Sequence, residues 1–532
     1  MAETLLVVGG GTMGAGIAAA AAIGGYDVEV IEPQAVARER AAQYLEREET
    51  RSGVEGLAAR IRWSAEIRSG SEASVAIEAV PERFEMKRDV FAALDRALAA
   101  DALIATNTSS LSVDELADTV SNPQRVIGLH FFNPPTRMRL VEVVRGAQSS
   151  AEAIERGLAI VHALGKTPVE TADTPGFIVN RVARPFYLQS LRALTRGLAT
   201  AEELDALARG AGFRMGPFEL MDLIGLDVNL ATTESLYERT GSPRFAPVAL
   251  QEEMVARGEL GRKTGAGFYR YPDGCHPERS RGTEVALASD SALSDEHVAV
   301  VGFGDLAAEL GDAAAARYAH VQRIENDDML PDLSPQTTIL VDAGDGVADR
   351  GGVLERLDAA FGPETLLIAD AYATDLSACA RRLRHPERLL GFGILGSLRA
   401  QRIVEIVDLD STSDETLELG QEFFAAVGKA SILVEDAPAL FLGRTVGSIV
   451  NEAMIAVHDG VASPEDINTA MQLGANYPFG PIAWGRAIRG ARIDRILRRL
   501  ADDEGSAFAP HRSLWLLDVE EEAGTAASAH ES

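Results

Sequence analysis

From Leu5 to Val8 the chain is unbroken apolar sequence; Gly9-Gly10-Gly11-Thr12-Met13-Gly14 follows, then an alanine-rich run from Ile17 to Ile23. Tyr26 to Ile31 alternates apolar and polar positions and ends on Glu32. This order predicts a buried strand, a glycine turn, a helix and a second strand, which is a βαβ unit. Short apolar runs at Val75–Ala79, Ala102–Thr106 and Val126–Leu129 predict further strands, and Leu140–Val144 one more. Between them Glu85 to Leu98 has helical spacing. The alternation predicts a doubly wound, mostly parallel sheet of the Rossmann type over roughly residues 1–174.

Past Thr174-Pro175-Gly176 the period changes to that of helices. Phe177 to Ala199, Ala201 to Ala211 and Phe218 to Tyr237 predict an all-helical domain over 175–272, with no strand signal before Gly267-Phe268-Tyr269. Residues 273–296 are rich in Asp, Ser, Pro and Arg and predict a linker. The remainder repeats the first half. His385-Pro-Glu-Arg-Leu-Leu-Gly391 mirrors Asn122-Pro-Gln-Arg-Val-Ile-Gly128, and Val404-Glu405-Ile406-Val407 mirrors Val141-Glu142-Val143-Val144. Gly428-Lys429 and Asp436-Ala437-Pro438 match Gly165-Lys166 and Asp173-Thr174-Pro175 at the same offset of 263 residues. One shared offset defines a tandem duplication. A second sheet module is expected over 297–436, a second helical domain over 437–520 and an acidic tail over 521–532.

Length and composition narrow the function. The chain has 532 residues, 46% of them hydrophobic, and a formal charge of −30. That charge repels phosphate backbones and acidic membranes, so neither nucleic acid nor a membrane surface is an expected partner. Any anionic ligand needs a local basic patch. No uninterrupted apolar run reaches the ~18 residues of a spanning helix. Two cysteines, Cys275 and Cys379, supply no disulfide framework or metal set. A cytoplasmic enzyme is expected, without a metal. Lysine occurs only at Lys87, Lys166, Lys263 and Lys429.

In the glycine turn, Gly9 permits the tight bend, Gly11 lets backbone approach a pyrophosphate, and Gly14 allows close helix–strand packing. The helix amides from Thr12 onward hold the anion. Glu32 would accept the ribose hydroxyls and repel a 2′-phosphate, which favours NAD over NADP. FAD shares the turn, and an unliganded glycine turn is the plain alternative. In the duplicate, Gly302-Phe303-Gly304-Asp305-Leu306-Ala307 lacks the third glycine and carries an acid, so no dinucleotide is expected there.

His130 ends one expected strand and Glu142 lies on the next. Twelve residues and a proline-containing loop allow the two side chains to meet. Oxidation of a carbinol needs a base for the hydroxyl proton. Histidine serves near neutral pH, and a carboxylate fixes its tautomer. The duplicate keeps Glu405 but has Gly393 in place of His130, so a structural role for the glutamate is also expected.

Several motifs together resemble the L-3-hydroxyacyl-CoA dehydrogenase family. They are Asn107-Thr-Ser-Ser110, Gly128-Leu-His-Phe-Phe-Asn-Pro134, Leu140-Val-Glu-Val143, Thr174-Pro-Gly-Phe-Ile-Val-Asn-Arg181, Met215-Gly-Pro-Phe-Glu-Leu220 and Lys263-Thr-Gly-x-Gly-Phe-Tyr269. Asn451-Glu-Ala453 and Asn476-Tyr-Pro-Phe-Gly-Pro481 extend the likeness into the second half. The tandem form looks most like the 3-hydroxyadipyl-CoA or 3-hydroxybutyryl-CoA dehydrogenases of bacterial phenylacetate catabolism. The resemblance implies NAD as cofactor and a CoA thioester as substrate. It implies His130 as base, Glu142 as its partner, and Ser109 and Asn180 on the substrate oxygens. Glu82, Lys87, Ser109, Asn133 and Lys263 match positions that contact NAD. The duplicate has Tyr372 for Ser109 and Gly443 for Asn180, so catalysis is expected in the first module alone. The family pairs through its helical domain, which implies either a pseudo-dimer within one chain or a homodimer. Pro33 to Arg60, with Arg38, Arg40, Arg47, Arg51 and Arg60, is shorter than the family's CoA-gripping hairpin, and Arg137 stands beside the expected site. A dehydrogenase of a non-CoA hydroxy acid and a non-catalytic NAD-binding scaffold are the alternatives.

Overall fold

The structure, a computed structural model, describes residues 3–274, 276–277, 293–325, 327–344 and 350–519. Among these residues the chain forms two sheets. The first has the order β3-β2-β1-β4-β5-β6-β7-β8. Its strands are β1 Thr4–Val8, β2 Asp27–Ile31, β3 Ile61–Ser64, β4 Val75–Glu78, β5 Leu103–Thr106, β6 Val126–Phe131, β7 Leu140–Arg145 and β8 Thr167–Ala172. All neighbours run parallel except β6 and β7. The second sheet repeats this without its outermost strand, as β10-β9-β11-β12-β13-β14-β15, with β13 and β14 antiparallel. Its strands are β9 Ser294–Val301, β10 Tyr318–Ile324, β11 Ile339–Asp342, β12 Leu366–Asp370, β13 Leu389–Gly393, β14 Ile403–Asp408 and β15 Ala430–Glu435.

Both faces of the first sheet are covered, so its strands read as apolar runs. Leu5, Val7, Val28 and Val30 pack under α1 (Thr12–Ile23) and the helix Ala151–Ala163. Leu6, Val8, Ala76 and Ile104 pack under α3 (Phe84–Ala97). Helix α1 is buried from Gly14 through Ala22, and its alanines allow that close approach. Between β2 and β3 runs α2 (Ala35–Ser52), an 18-residue helix ended by Gly53 in the left-handed region.

The described chain divides into two compact units that cut across the halves of the sequence. One contains residues 1–183, 238–240 and 456–480; the other contains 184–237, 241–455 and 481–532. In the first unit the helix Pro464–Gly474 packs on β7 and β8, and the amide of Ala172 donates to Val461 O at 2.8 Å. In the second unit the helix Ala201–Gly210 packs on β14, and the amide of Glu435 donates to Leu198 O at 2.9 Å. These contacts are repeat mates. Each sheet takes a helix from the other half of the chain.

The structure departs from expectation in four places. The expected helix Phe218–Tyr237 is broken at Gly225 (φ +102°), giving Pro217–Ile224 and Leu226–Thr240. Gly267-Phe268-Tyr269 forms no strand; isolated bridges join Gly261 with Ala266 and Ala266 with Arg270. Strand β9 begins at Ser294, inside the expected linker, whose residues 275 and 278–292 lie outside the described residues, as does the expected tail 521–532. The helix Leu440–His458 is long and apolar enough to cross a membrane, although Arg444 and Glu452 interrupt its sequence; 83% of its apolar window is buried within the fold.

Candidate active site

The C-terminal ends of the parallel strands gather the candidate residues of the first unit. β1 runs into Gly9, whose φ of +107° suits glycine, and a Cβ there would fall 2.7 Å from Ala79 O. A Cβ on Gly14 would fall 1.8 Å from Gly9 O, so turn and helix touch through backbone. Gly11 is different: a Cβ there would meet nothing within 4 Å. No side chain caps the helix start at Thr12, Met13 and Gly14. An open cradle of uncapped amides fits a pyrophosphate. At the end of β2, buried Glu32 accepts from the amides of Gly10 and Gln34, each at 2.9 Å. Its carboxylate is therefore fixed beside the turn, where it fits a ribose diol. A cleft of about 400 Å³ over the turn is lined by Gly10, Gly11, Thr12, Arg40, Tyr44 and Arg47. Arg38, Arg51 and Arg60 are engaged elsewhere, with Glu32 O, Glu48 and Ala22 O.

The antiparallel register of β6 and β7 sets His130 directly opposite Glu142. Nδ1 of His130 lies 2.6 Å from Glu142 Oε2, and both side chains are buried. With Nδ1–H donating to the carboxylate, Nε2 is left as the proton acceptor. The other carboxylate oxygen accepts from the amides of Ile178 at 3.1 Å and Val179 at 2.9 Å. Those amides open the short helix Val179–Val182, which carries Asn180. Just before it Phe177 sits at φ +48°, a strained position for a side-chain-bearing residue. Glu142 thus orients the imidazole with one oxygen and ties down the strained turn with the other. Phe132 and Phe177 flank His130, with ring centroids 4.6 and 5.7 Å away.

Ser109 follows β5, which pairs in parallel with β6. Asn107 Oδ1 accepts from the amide of Phe131 at 2.8 Å, which ties the Ser109 loop to the strand of His130. Glu82 organises the same loop. Its Oε1 accepts from the amides of Ser109 at 3.0 Å and Ser110 at 3.1 Å, and from the hydroxyls of Thr108 and Ser110. Lys87 is buried and bonds Glu78 at 2.8 and 3.0 Å, with Glu82 at 3.2 Å. In this structure Glu82 and Lys87 therefore hold protein groups. Sequence reading assigned them only to cofactor contact, since nothing local in sequence links Glu82 to a loop 26 residues later.

Asn133 is exposed at the start of the loop that leads from β6 to β7. Lys166, for which the sequence offered no function, holds that loop: buried Nζ donates to the carbonyls of Pro135 and Met138, the latter at 2.7 Å. Burial pushes its ammonium down to about 8. Tyr44 on α2 bonds Thr136 in the same loop at 3.1 Å. Lys263 lies in the second unit, where it pairs with Asp227 beside Gly225.

The equivalent position in the second unit is filled. Tyr372, mate of Ser109, is fully buried, and its hydroxyl donates to Glu405 Oε2 at 2.6 Å. A Cβ on Gly393 or Gly443, mates of His130 and Asn180, would fall 2.8 or 2.9 Å from the Tyr372 ring. The tyrosine occupies the room that histidine and asparagine take in the first unit. Glu405 still receives the amides of Phe441 and Leu442, as Glu142 receives those of Ile178 and Val179. At the degenerate turn the helix opens on Asp305, a carboxylate where a pyrophosphate would sit.

A doubly wound sheet, an open glycine turn with a buried acid at the end of β2, and all-helical partners define an NAD-dependent oxidoreductase. More narrowly, the chain belongs to the 3-hydroxyacyl-CoA dehydrogenase family. The family's NAD-binding domain matches residues 4–174 and 322–437, and its C-terminal domain matches 176–271 and 441–529. The second NAD-domain match begins past the degenerate glycine turn. The chain is 35% identical over 514 residues to the 3-hydroxyadipyl-CoA dehydrogenase of Escherichia coli K12, covering 94% of each chain. It is 36% identical over 281 residues to a probable 3-hydroxybutyryl-CoA dehydrogenase of Bacillus subtilis, which spans 51% of this chain and 98% of that relative. Among solved structures, the 3-hydroxybutyryl-CoA dehydrogenase of Escherichia coli K12 superposes with a TM-score of 0.78 at 33% identity, covering 97% of this chain and 99% of that one. The tandem architecture and NAD dependence expected from the sequence are borne out.

Proposed function

We propose that the chain oxidises (S)-3-hydroxyacyl-CoA to 3-oxoacyl-CoA in the first unit, on a short-chain or adipyl thioester of the kind named for its full-length relative. NAD, when bound along the glycine turn, supplies the acceptor for the C3 hydride. His130 Nε2 takes the hydroxyl proton as that hydride departs, so alcohol becomes ketone and the imidazole becomes imidazolium. Glu142, 2.6 Å away, stabilises the charged ring. Ser109 and Asn180 hold the reacting oxygen and the thioester carbonyl, which stabilises the negative charge that develops on oxygen. Gly9, Gly11, Thr12, Met13, Gly14 and Glu32 hold the dinucleotide directly, with Asn133. Glu82 and Lys87 act through the Ser109 loop, on the side that meets the substrate oxygens. Arg40 and Arg47 give phosphate a positive cleft against a net charge of −30. Arg137, exposed in the loop after Pro134, is our choice to meet the distal carboxylate of an adipyl chain. The reciprocal helices support a pseudo-dimer within one chain, acting in the cytoplasm without nucleic acid or membrane.

The single observation that carries this reading is the buried His130–Glu142 pair on the adjacent inner strands β6 and β7 of a sheet whose glycine turn is open. With acetoacetyl-CoA and NADH as substrates, His130→Gln should lower kcat by about 10³-fold while NADH binding, followed by fluorescence, holds within about twofold. Near-normal turnover in that variant defeats the assignment.

A further inference from the structure

Segment 456–480 belongs to the same compact unit as the first sheet, although more than 300 residues of chain separate it from His130. It is anchored there twice: by the bond from Ala172 N to Val461 O, and by Arg181 to Asp459 at 2.7 Å. Its helix ends at Gly474 against three residues. A Cβ on Gly474 would fall 2.6 Å from Leu140 Cδ2, 3.0 Å from Val179 Cγ2 and 3.7 Å from Phe132 Cζ. Each of the three is one step from the reacting pair. The Phe132 ring tilts at 56° over His130, with centroids 4.6 Å apart. Val179 gives its amide to Glu142 at 2.9 Å. Leu140 lies two residues before Glu142 on β7, on the same face of the strand.

We propose that the helix Pro464–Gly474, from the half of the chain with the filled site, is a positioning element for the His130–Glu142 pair. This rests on the reading of His130 as base. Gly474 closes one side of a packed stack whose next layer is Phe132 and whose third is the imidazole. A Cβ at Gly474 already falls closer to Leu140 and Val179 than ordinary contact allows, so a larger side chain there displaces the strand of Glu142 and the turn whose amides hold it, and presses on the half-buried Phe132 ring beside His130. The repeat mate makes the contrast plain. In the second unit Gly210, which ends the mate helix one residue out of the 263-residue register, lies against Ile403, the mate of Leu140, a Cβ there falling 2.8 Å from Ile403 Cβ, but Gly393 stands where the histidine would. There the contact only packs. In the first unit it also sets the geometry of a base.

The test uses the full-length chain with acetoacetyl-CoA and NADH. Gly474→Leu should lower kcat by about 10–100-fold, the scale of a base displaced by about an ångström, with the NADH dissociation constant within about twofold. Leu140→Ala on that background makes room for the added side chain and should recover most of kcat. Phe132→Leu, which adds no volume and decides the matter if Gly474→Leu does not fold, should also lower kcat at unchanged NADH affinity. Wild-type kcat in folded Gly474→Leu or in Phe132→Leu, or a loss in Gly474→Leu that Leu140→Ala does not relieve, overturns the proposal. If His130→Gln itself turns over normally, the base reading has failed, and that outcome is distinct from a silent Gly474.

Discussion

A carboxylate has two oxygens, and Glu142 uses them for different purposes: one orients His130, the other receives the amides that follow Phe177. The sequence foreshadowed this, because Glu405 persists where its histidine has become Gly393. Pairing residues twelve apart was legible from the strand pattern alone. The work of Glu82 was not, since its bonds reach residues 108–110 through the fold rather than along the chain. Four donors converge on one oxygen of Glu82, and Glu82→Ala releases all four. We expect kcat/KM for the acyl substrate to fall by about 10–100-fold, or roughly 1.4–2.7 kcal/mol. NADH affinity should hold within about threefold, as judged by titration of NADH fluorescence. A large loss of NADH affinity with little change in acyl turnover would instead mark Glu82 as a direct contact to the dinucleotide.

Elements repeat between the modules more faithfully than chemistry does. Arg125 binds Asp95 at 2.7 Å in the first sheet, and their mates Arg388 and Asp358 meet at 3.0 Å in the second, which explains the conserved spacing of the two Pro-x-Arg segments. Strands β3 and β8 escaped the sequence reading. Each has exposed or half-buried positions at the flank of the sheet, so neither presents the apolar run that marks an inner strand. The helix break at Gly225 was hidden because helical spacing continues on both sides of it. In the second module, burial pushes the Glu405 carboxyl from 4.5 up to about 7, with the Tyr372 hydroxyl partly opposing the shift. The folded state therefore binds this proton more tightly than the unfolded chain. Its stabilisation is complete below about pH 4.5 and is lost as pH rises to about 7, a change on the order of 3 kcal/mol. Glu405→Gln should remove that slope: the difference in Tm between variant and wild type shifts in the variant's favour from pH 5 to pH 8. A pH-independent difference would show that Glu405 carries its charge throughout.

At the scale of the molecule, two copies of one architecture have been given unequal tasks. The first unit keeps an open turn, while the second has Asp305 at the turn and Tyr372 in the pocket. Calorimetric titration should therefore find one NADH per chain, and Glu32→Ala should abolish that single binding event. Two equivalents would show that the second turn also takes a dinucleotide. Reciprocal packing also has a consequence for how the molecule is made. The strands of the first sheet are made first, yet the helix that completes its unit is added about 290 residues after β8. A nascent chain paused near residue 272 would hold both family domains of a single module and still lack its last supporting helix. Competence waits for the second half of the duplication, and truncation before residue 464 removes activity encoded in the first.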